Sequence, residues 1–314
     1  MNQPTTPEAQ ASRIVIAGGT GMIGRALAKL LAASGSEVVV LVRRPGRTLD
    51  LPAGVRQEAW DGVKVESWAK TLEGAKAVVN LAGENLAGGR WTSQRKQLLW
   101  DSRINATTAL VQAVEAATAR PSVFVQGSAV GYYGPHGIED LTESTPPGHD
   151  FLAQLCVEWE DRTRPLETLG VRRVIIRTGV VLSREEGALP RLLMPFRFFV
   201  GGPLGNGRQY FPWIHLQDEV DAIRFLIDDP GASGPFNLSA PNPLTNAEFS
   251  QVVGKVIGRP AMLPAPAFAL RAALGEMATV LLDGQRAVPR HLLERGYRFQ
   301  FPEAEPALRK ILIQ

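Results

Sequence analysis

The sequence predicts an α/β fold, a doubly wound parallel sheet carrying a smaller, mainly helical C-terminal lobe. Two observations carry this reading. Apolar, β-branched runs alternate with helix-patterned stretches through the first half of the 314 residues. The runs are apolar at nearly every position, as in strands covered on both faces. A glycine-rich turn, Gly18-Gly19-Thr20-Gly21-Met22-Ile23-Gly24, joins the first such run to the first helical pattern.

Taken in order, strands are expected at 13–17 (RIVIA), 37–42 (EVVVLV), 55–59, 77–81 (AVVNL), 122–126 (SVFVQ) and 173–177 (RVIIR). Between them lie helices over 22–34, closed by Gly35, and over about 93–117 and 151–169. The second half is less regular. Residues 187–207 are rich in Gly, Pro and Arg; a helix is expected over 216–228, a returning strand over 234–238 (GPFNL) and a helix over 246–257. The last opens on Thr245 with Glu248 three residues on, the spacing of a capping box. A helical tail should follow Gly258-Arg259-Pro260. The expected organisation is a tail over 1–12, a sheet domain over 13–183 to which 208–240 returns, and a lobe over 184–314 whose helical C-terminal part covers about 263–312.

Composition narrows the function classes. The chain is 45% hydrophobic and 21% charged, ordinary for a globular protein. One cysteine, Cys156, excludes an internal disulfide and a CxxC metal site, and the histidines lack metal-ligand spacing. No metal is expected, and a reducing, cytoplasmic setting is. The net charge of +3 is spread without a Lys/Arg run, so no nucleic-acid partner is expected. The first twelve residues are polar, reading as neither signal peptide nor anchor, and no apolar stretch approaches membrane-spanning length; no membrane partner is expected.

The glycine turn has the context of a Rossmann-type dinucleotide site. Gly18-x-x-Gly21-x-x-Gly24 follows a strand and opens a helix, so glycines supply the tight turn, the close approach of a diphosphate and close helix–strand packing. The helix N-terminus then faces the anionic charge. Thr20, Met22 and Ile23 complete the loop, and Gly19 lies within it. At the end of the second strand, where a carboxylate would hold the ribose hydroxyl of NAD, stand Arg43 and Arg44. Guanidiniums suit a 2′-phosphate, so the expected cofactor is NADP(H).

Several further segments accompany the turn: Val79 to Asn85, Arg90-Trp91-Thr92, Asp101 to Ile104, Ser128 to Gly134, Trp159-Glu160, Arg177 to Leu182 and Phe211 to His215. Together they resemble the extended branch of the short-chain dehydrogenases/reductases, and within it the atypical "epimerase family" subgroup of the NAD-dependent epimerase/dehydratases, whose C-terminal domain has no assigned function. The resemblance covers about 13–312. It implies that Leu81, Ala82 and Gly83 lie along the adenosine and diphosphate side, that Arg103 and Leu98 approach the cofactor from the next helix, and that Val181 sits by the nicotinamide.

The superfamily's reductases use Tyr-x-x-x-Lys, the tyrosine as acid/base and the lysine lowering its pKa. Here the residues four beyond Tyr132, Tyr133, Tyr210 and Tyr297 are His136, Gly137, Ile214 and Phe301, and no lysine stands between Lys96 and Lys255. Aligned on Glu160, Leu152 takes the tyrosine position and Cys156 the lysine position. Ser128 lies near the superfamily's serine. The candidate catalytic residues are therefore Ser128, Tyr132 and Tyr133, with Arg177 or His215 as the group that would lower a tyrosine pKa; a packing role for both tyrosines competes with this. Arg177, Trp213 and His215 are candidate substrate-pocket residues, His215 equally a structural cap.

Three activities stay open: an NADPH-dependent oxidoreductase of a small carbonyl or sugar-like substrate, an epimerase- or isomerase-like enzyme that retains its cofactor, and a cofactor-binding sensor or partner-binding protein with little catalysis. A monomer and a homodimer are both compatible with the sequence.

Overall fold

The computed structural model describes residues 12–46 and 51–313. Apart from Ser12, the expected tail lies outside them. The first half runs β1 (Arg13–Ala17), α1 (Met22–Ala33), β2 (Glu37–Val42), β3 (Arg56–Ala59), β4 (Ala77–Asn80), α2 (Ser93–Ala116), β5 (Val123–Ala129), α3 (Phe151–Asp161), α4 (Pro165–Thr168) and β6 (Arg172–Thr178). The second half runs β7 (Val180–Leu182), α5 (Leu189–Arg197), β8 (Tyr210–Phe211), β9 (Trp213–His215), α6 (Leu216–Asp228), β10 (Gly234–Leu238), β11 (Leu244–Thr245), α7 (Asn246–Ile257), α8 (Ala267–Leu274), α9 (Thr279–Leu282), α10 (Arg290–Glu294) and α11 (Ala304–Leu312).

Seven strands form one parallel sheet in the order β10-β6-β5-β4-β1-β2-β3. The period-2 alternation of β1 divides its side chains between two cores: Ile14 and Ile16 join Leu27 and Leu31 of α1 and Ile223 and Leu226 of α6, while Val15 and Ala17 join Leu110 and Val114 of α2. The chain leaves β1 in one direction toward β2 and β3 and returns on its other side through β4, so a crevice opens at the carboxyl ends of β1 and β4. Helix α1 closes on a Schellman motif, Ser36 N–H to Leu31 O at 3.1 Å and Gly35 N–H to Ala32 O at 3.0 Å, with Gly35 at φ 84°. The capping box of α7 is formed by Thr245 and Glu248.

The lobe has its own core, in which Phe211 and Trp213 meet Phe249 of α7 and Leu308 and Ile311 of α11. Its C-terminal end is fastened to the sheet domain by Asp218 in α6, whose carboxylate accepts the N–H groups of Gln300 (2.7 Å) and Phe301 (2.9 Å).

Two expectations are corrected. The helix expected over 151–169 is interrupted after Asp161, because Pro165 lacks the N–H that would continue it and opens α4 instead. Strand β5 runs on through Gly127, Ser128 and Ala129, which pair with Ile176, Arg177 and Thr178 of β6. The expected helical tail is present as four short helices separated by Gly and Pro. Replacing Asp218 with Ala orphans two backbone donors, each costing about 1–3 kcal/mol when left unpaired. Denaturant unfolding should show that loss, and hydrogen exchange should show faster exchange at Gln300 and Phe301.

Candidate functional site

The glycine loop lies at the crevice. Gly18 has φ 79°, and a Cβ there would lie 2.5 Å from the Leu81 carbonyl carbon, so the loops after β1 and β4 touch backbone to backbone. A Cβ on Gly24 would fall on the Gly18 carbonyl oxygen and on Gly19 Cα, which fixes α1 against the loop. Gly21 differs. Its Cβ would meet only the Gly18 oxygen, at 3.5 Å, so the space before the helix is open. No side chain caps α1 and no acid stands in its first turn, which leaves its N-terminal N–H groups and their partial positive charge for a ligand anion.

Beside this opening, Arg43 and Arg44 follow β2, both exposed and neither hydrogen-bonded or ion-paired to any described residue. An uncapped helix terminus, an open cradle at Gly21 and two guanidiniums unpaired among the described residues fit a dinucleotide carrying an additional phosphate. On the far side, Arg25 bridges the Thr20 carbonyl and the Glu186 carboxylate, and a Cβ on Gly187 would lie 3.4 Å from Met22 Cε. The segment after Val181 therefore arches over the start of α1.

Gly83 is backed by Arg103, whose guanidinium carbon would lie 3.0 Å from a Cβ there. Arg103 donates to the carbonyls of Leu99 (3.0 Å) and Glu84 (3.1 Å) and lies over the Trp159 ring, so it holds the Leu81-Ala82-Gly83 loop in shape from beneath. Leu98 stands half exposed on α2.

Where the superfamily keeps its proton relay, a buried network stands. Arg177 and Glu160 form a two-pronged ion pair, Nε to Oε1 and Nη2 to Oε2, both at 2.9 Å, with side chains 4% and 7% exposed. The Ser128 hydroxyl donates to Glu160 Oε1 at 2.7 Å. Tyr133 is fully buried and donates to Asn237 Oδ1 at 2.6 Å, while Arg177 Nη1 donates to the Tyr133 oxygen at 3.2 Å and to the Glu143 carbonyl at 3.1 Å. The Tyr132 ring lies flat on the Arg177 guanidinium, 3.4 Å from its centroid.

The expected lowering of a tyrosine pKa meets the opposite outcome. Burial pushes Tyr133 up to about 12 and also raises Tyr132, in each case overriding the pull of Arg177. Burial alone would pull Arg177 down, yet the hydrogen bonds and charge of Glu160 leave it above its ordinary value, so it is a permanent cation. Cys156 is buried, with its thiol pushed up to about 11 by burial.

Of the candidate pocket residues, Trp213 is enclosed in the lobe core and Arg177 in the ion pair. His215 is the N-cap of α6, its Nδ1 accepting the Gln217 N–H at 3.0 Å, and its ring stacks on Phe301 with 4.0 Å between centroids. Burial, then the nearby Lys310, pull its pKa down to about 4, so it is neutral at pH 7. Val181, 7% exposed, pairs with Ile214 across β7 and β9. The structure thus gathers the loop, the β4–α2 segment and Arg43-Arg44 round one crevice, and places Ser128, Tyr133 and Arg177 in a packed network beside it.

This fold and crevice define a Rossmann protein of the extended short-chain dehydrogenase/reductase type. The chain belongs to the NAD dependent epimerase/dehydratase family, whose model matches residues 14–239; a domain of unknown function (DUF1731) matches 265–311. It is 45% identical over 295 residues to an epimerase family protein of Mycobacterium leprae, covering 93% of this chain and 94% of that one. The crystal structure of human epimerase family protein SDR39U1 with NADPH superposes with a TM-score of 0.87 at 38% identity, covering 95% of this chain and 98% of that one. A nucleoside-diphosphate sugar epimerase from Corynebacterium glutamicum superposes with a TM-score of 0.77 at 32% identity, over 96% of this chain and 58% of that one.

The sequence did not single out Asn237, Glu143 or Glu219. Asn237 and Glu143 carry no local signal, since their partners are distant in the chain. Glu219, in the acidic first turn of α6, reads as a solvated helix start, yet it is fully buried. Thr178 donates to its Oε1 at 2.8 Å, and Oε2 has no partner. Burial pushes its pKa from 4.5 up to about 8. In the unfolded chain the carboxyl ionises near pH 4.5, while in the folded protein it stays protonated to about pH 8. Its contribution to stability is therefore full below pH 4.5 and falls as pH rises to about 8. Glu219→Gln removes the ionisation, so its melting temperature relative to the parent should climb between those two pH values and level off above the upper one. A difference flat across that range would refute the buried-acid assignment.

Proposed function

We propose that this protein binds NADP(H) and acts as an oxidoreductase on a small carbonyl or sugar-like substrate, with slow turnover because the hydroxyls of Ser128 and Tyr133 are committed to buried partners. The observation that carries the cofactor reading is Arg43-Arg44, exposed and unpaired among the described residues, beside an uncapped, open glycine loop. The N–H groups of Gly21 to Gly24 would hold the diphosphate, Arg43 and Arg44 the 2′-phosphate, Leu81 to Gly83 the adenosine side and Val181 the nicotinamide end. The NADPH in the human relative's crystal structure supports this choice. When bound, the cofactor supplies or takes up a hydride.

The rest falls to the chain's own residues. Ser128 is held by Glu160, Tyr133 by Asn237, and the Cys156 thiol stays protonated. Ser128 and Tyr133 on this reading brace the crevice, and Tyr132, half-buried with its ring on the Arg177 guanidinium, is the remaining candidate donor. The lobe of residues 184–314 would supply the substrate contacts. A second reading, a cofactor-binding sensor with little catalysis, is favoured by the same commitment of Ser128 and Tyr133. A panel of aldehydes and ketones assayed by NADPH absorbance separates the two. Slow oxidation abolished by Tyr132→Phe supports the first, and none at all supports the second. Product epimers formed without net NADPH consumption would point to the cofactor-retaining alternative.

Two further outcomes are expected. Gly21→Val should keep the fold, since its Cβ has room, and lose dinucleotide binding; Gly24→Val should lose the fold with it. Circular dichroism beside a cofactor titration distinguishes them, and undiminished affinity in Gly21→Val would remove the loop from the site. Charge-assisted hydrogen bonds contribute about 1.5–3 kcal/mol each. After discounting for exposure, the arginine pair should favour NADPH over NADH by about tenfold to a thousandfold, one decade being about 1.4 kcal/mol. Calorimetry on Arg43→Ala/Arg44→Ala should show weaker NADPH binding with NADH little changed, and equal affinities in the parent protein would defeat the assignment.

A further inference from the structure

The lobe carries an outward apolar face that no element of the described residues covers. At the end of α5, Met194, Phe198 and Phe199 are all more than half exposed, Phe198 at 72%. Beside them, Met262 and Leu263 are 79% and 55% exposed, and Phe268 opens α8 at 77%. The two segments are contiguous: Leu263 N–H donates to Gly201 O at 3.1 Å, Ala265 N–H to Pro203 O at 2.9 Å, and the Arg259 guanidinium lies 4.2 Å from the Phe199 ring centroid. Phe198, Phe199 and Phe268 are the exposed phenylalanines among the described residues. Helix α8, AFALRAAL, is apolar at every position but Arg271 and buries none of its residues.

Backbone geometry singles out the same place. Helix α5 ends in a Schellman motif, Phe199 N–H to Phe196 O at 3.0 Å and Val200 N–H to Pro195 O at 3.1 Å. Its C′ position needs a left-handed residue and is ordinarily glycine. Here it is Phe199, at φ 62°, the one non-glycine residue with positive φ among those described. A bulky side chain is held in strained backbone and directed outward, where it contributes nothing to the core.

Charge decides the occupant. No Asp or Glu stands between Glu186 and Asp218, or between Glu248 and Glu276. Across those stretches Arg191, Arg197, Arg208, Arg259 and Arg271 are exposed. A two-fold contact between copies would set this cationic patch against itself, which like-charge repulsion opposes. Protruding rings and methionines, with Arg259 stacked on Phe199 and further exposed arginines on the same segments, match an anionic lipid surface. Apolar groups enter the boundary between headgroups and acyl chains, and guanidiniums pair with the headgroups.

We infer that this face, the end of α5 with residues 199–205, 259–266 and α8, docks the protein peripherally on anionic membranes. No described helix is long and apolar enough to span one, so the contact is at the surface and replaces the expectation of no membrane partner.

The test is flotation of the full chain with vesicles of phosphatidylcholine alone or mixed with phosphatidylglycerol. The protein should float with the anionic vesicles, stay behind with the neutral ones, and be released as salt is raised. Phe199→Gly, Phe268→Ser and the pair Arg197→Glu/Arg259→Glu should each weaken binding by at least about tenfold. Phe199→Gly relieves the backbone strain, so its melting temperature should not fall, which separates lost docking from lost folding. Failure to float with anionic vesicles, or flotation unchanged in all the variants, would overturn the proposal. So would a parent protein that sediments as a dimer and becomes monomeric in the same variants, since a second copy would then be the occupant.

Discussion

The Arg177–Glu160 ion pair joins β6 to α3 at the centre of the structure, and its desolvation makes everything around it obligatory. Two charges taken out of water are tolerated only when their remaining donors and acceptors are used. Ser128 and the Glu143 carbonyl fill those places, and the Tyr132 ring covers the guanidinium. Tyr133 then passes the linkage to Asn237 in β10, whose side-chain amide donates to the carbonyls of Leu141 and Val288 at 3.1 and 3.0 Å. One ion pair thus ties four elements and the loop segments between them.

That arrangement has a chemical cost. The serine and tyrosines nearest the crevice are spent on a charge that cannot be left uncompensated, and the low dielectric that makes the pair strong keeps the tyrosines protonated. A proton relay needs a group able to change partners at neutral pH. Here the hydroxyls of Ser128 and Tyr133 are held by buried partners, while the crevice stays open at Gly21, with Arg43 and Arg44 unpaired among the described residues.

The sheet was legible because burial on both faces leaves a local trace: RIVIA and EVVVLV occupy β1 and β2 with no change of bounds. The glycine loop was legible for the same reason, since its constraints act within seven residues. The end of β5 was not. Gly127-Ser128-Ala129 has no strand character of its own and is extended by pairing with β6. The network was hidden too, for it links Glu160 to residues 17 and 32 positions away and Tyr133 to one 104 away. Glu219 was misleading because an acid in a first turn normally favours solvent and the helix dipole, whereas packing of α6 against the sheet carries it inside.

The Asp218 tether has a bearing on how the molecule is made. It joins α6 to backbone 82 and 83 positions further on, and β10, the last strand added to the sheet, emerges after the first part of the lobe. Contacts of such long sequence separation require closure of large loops before they repay it, which slows folding. During synthesis the early strands can pair as they appear, but the sheet edge at β6 waits for β10, and the Asp218 carboxylate waits for Gln300 and Phe301. The nascent protein therefore exposes an unfinished edge until β10 emerges, and an unsatisfied buried acid until Gln300 and Phe301 do.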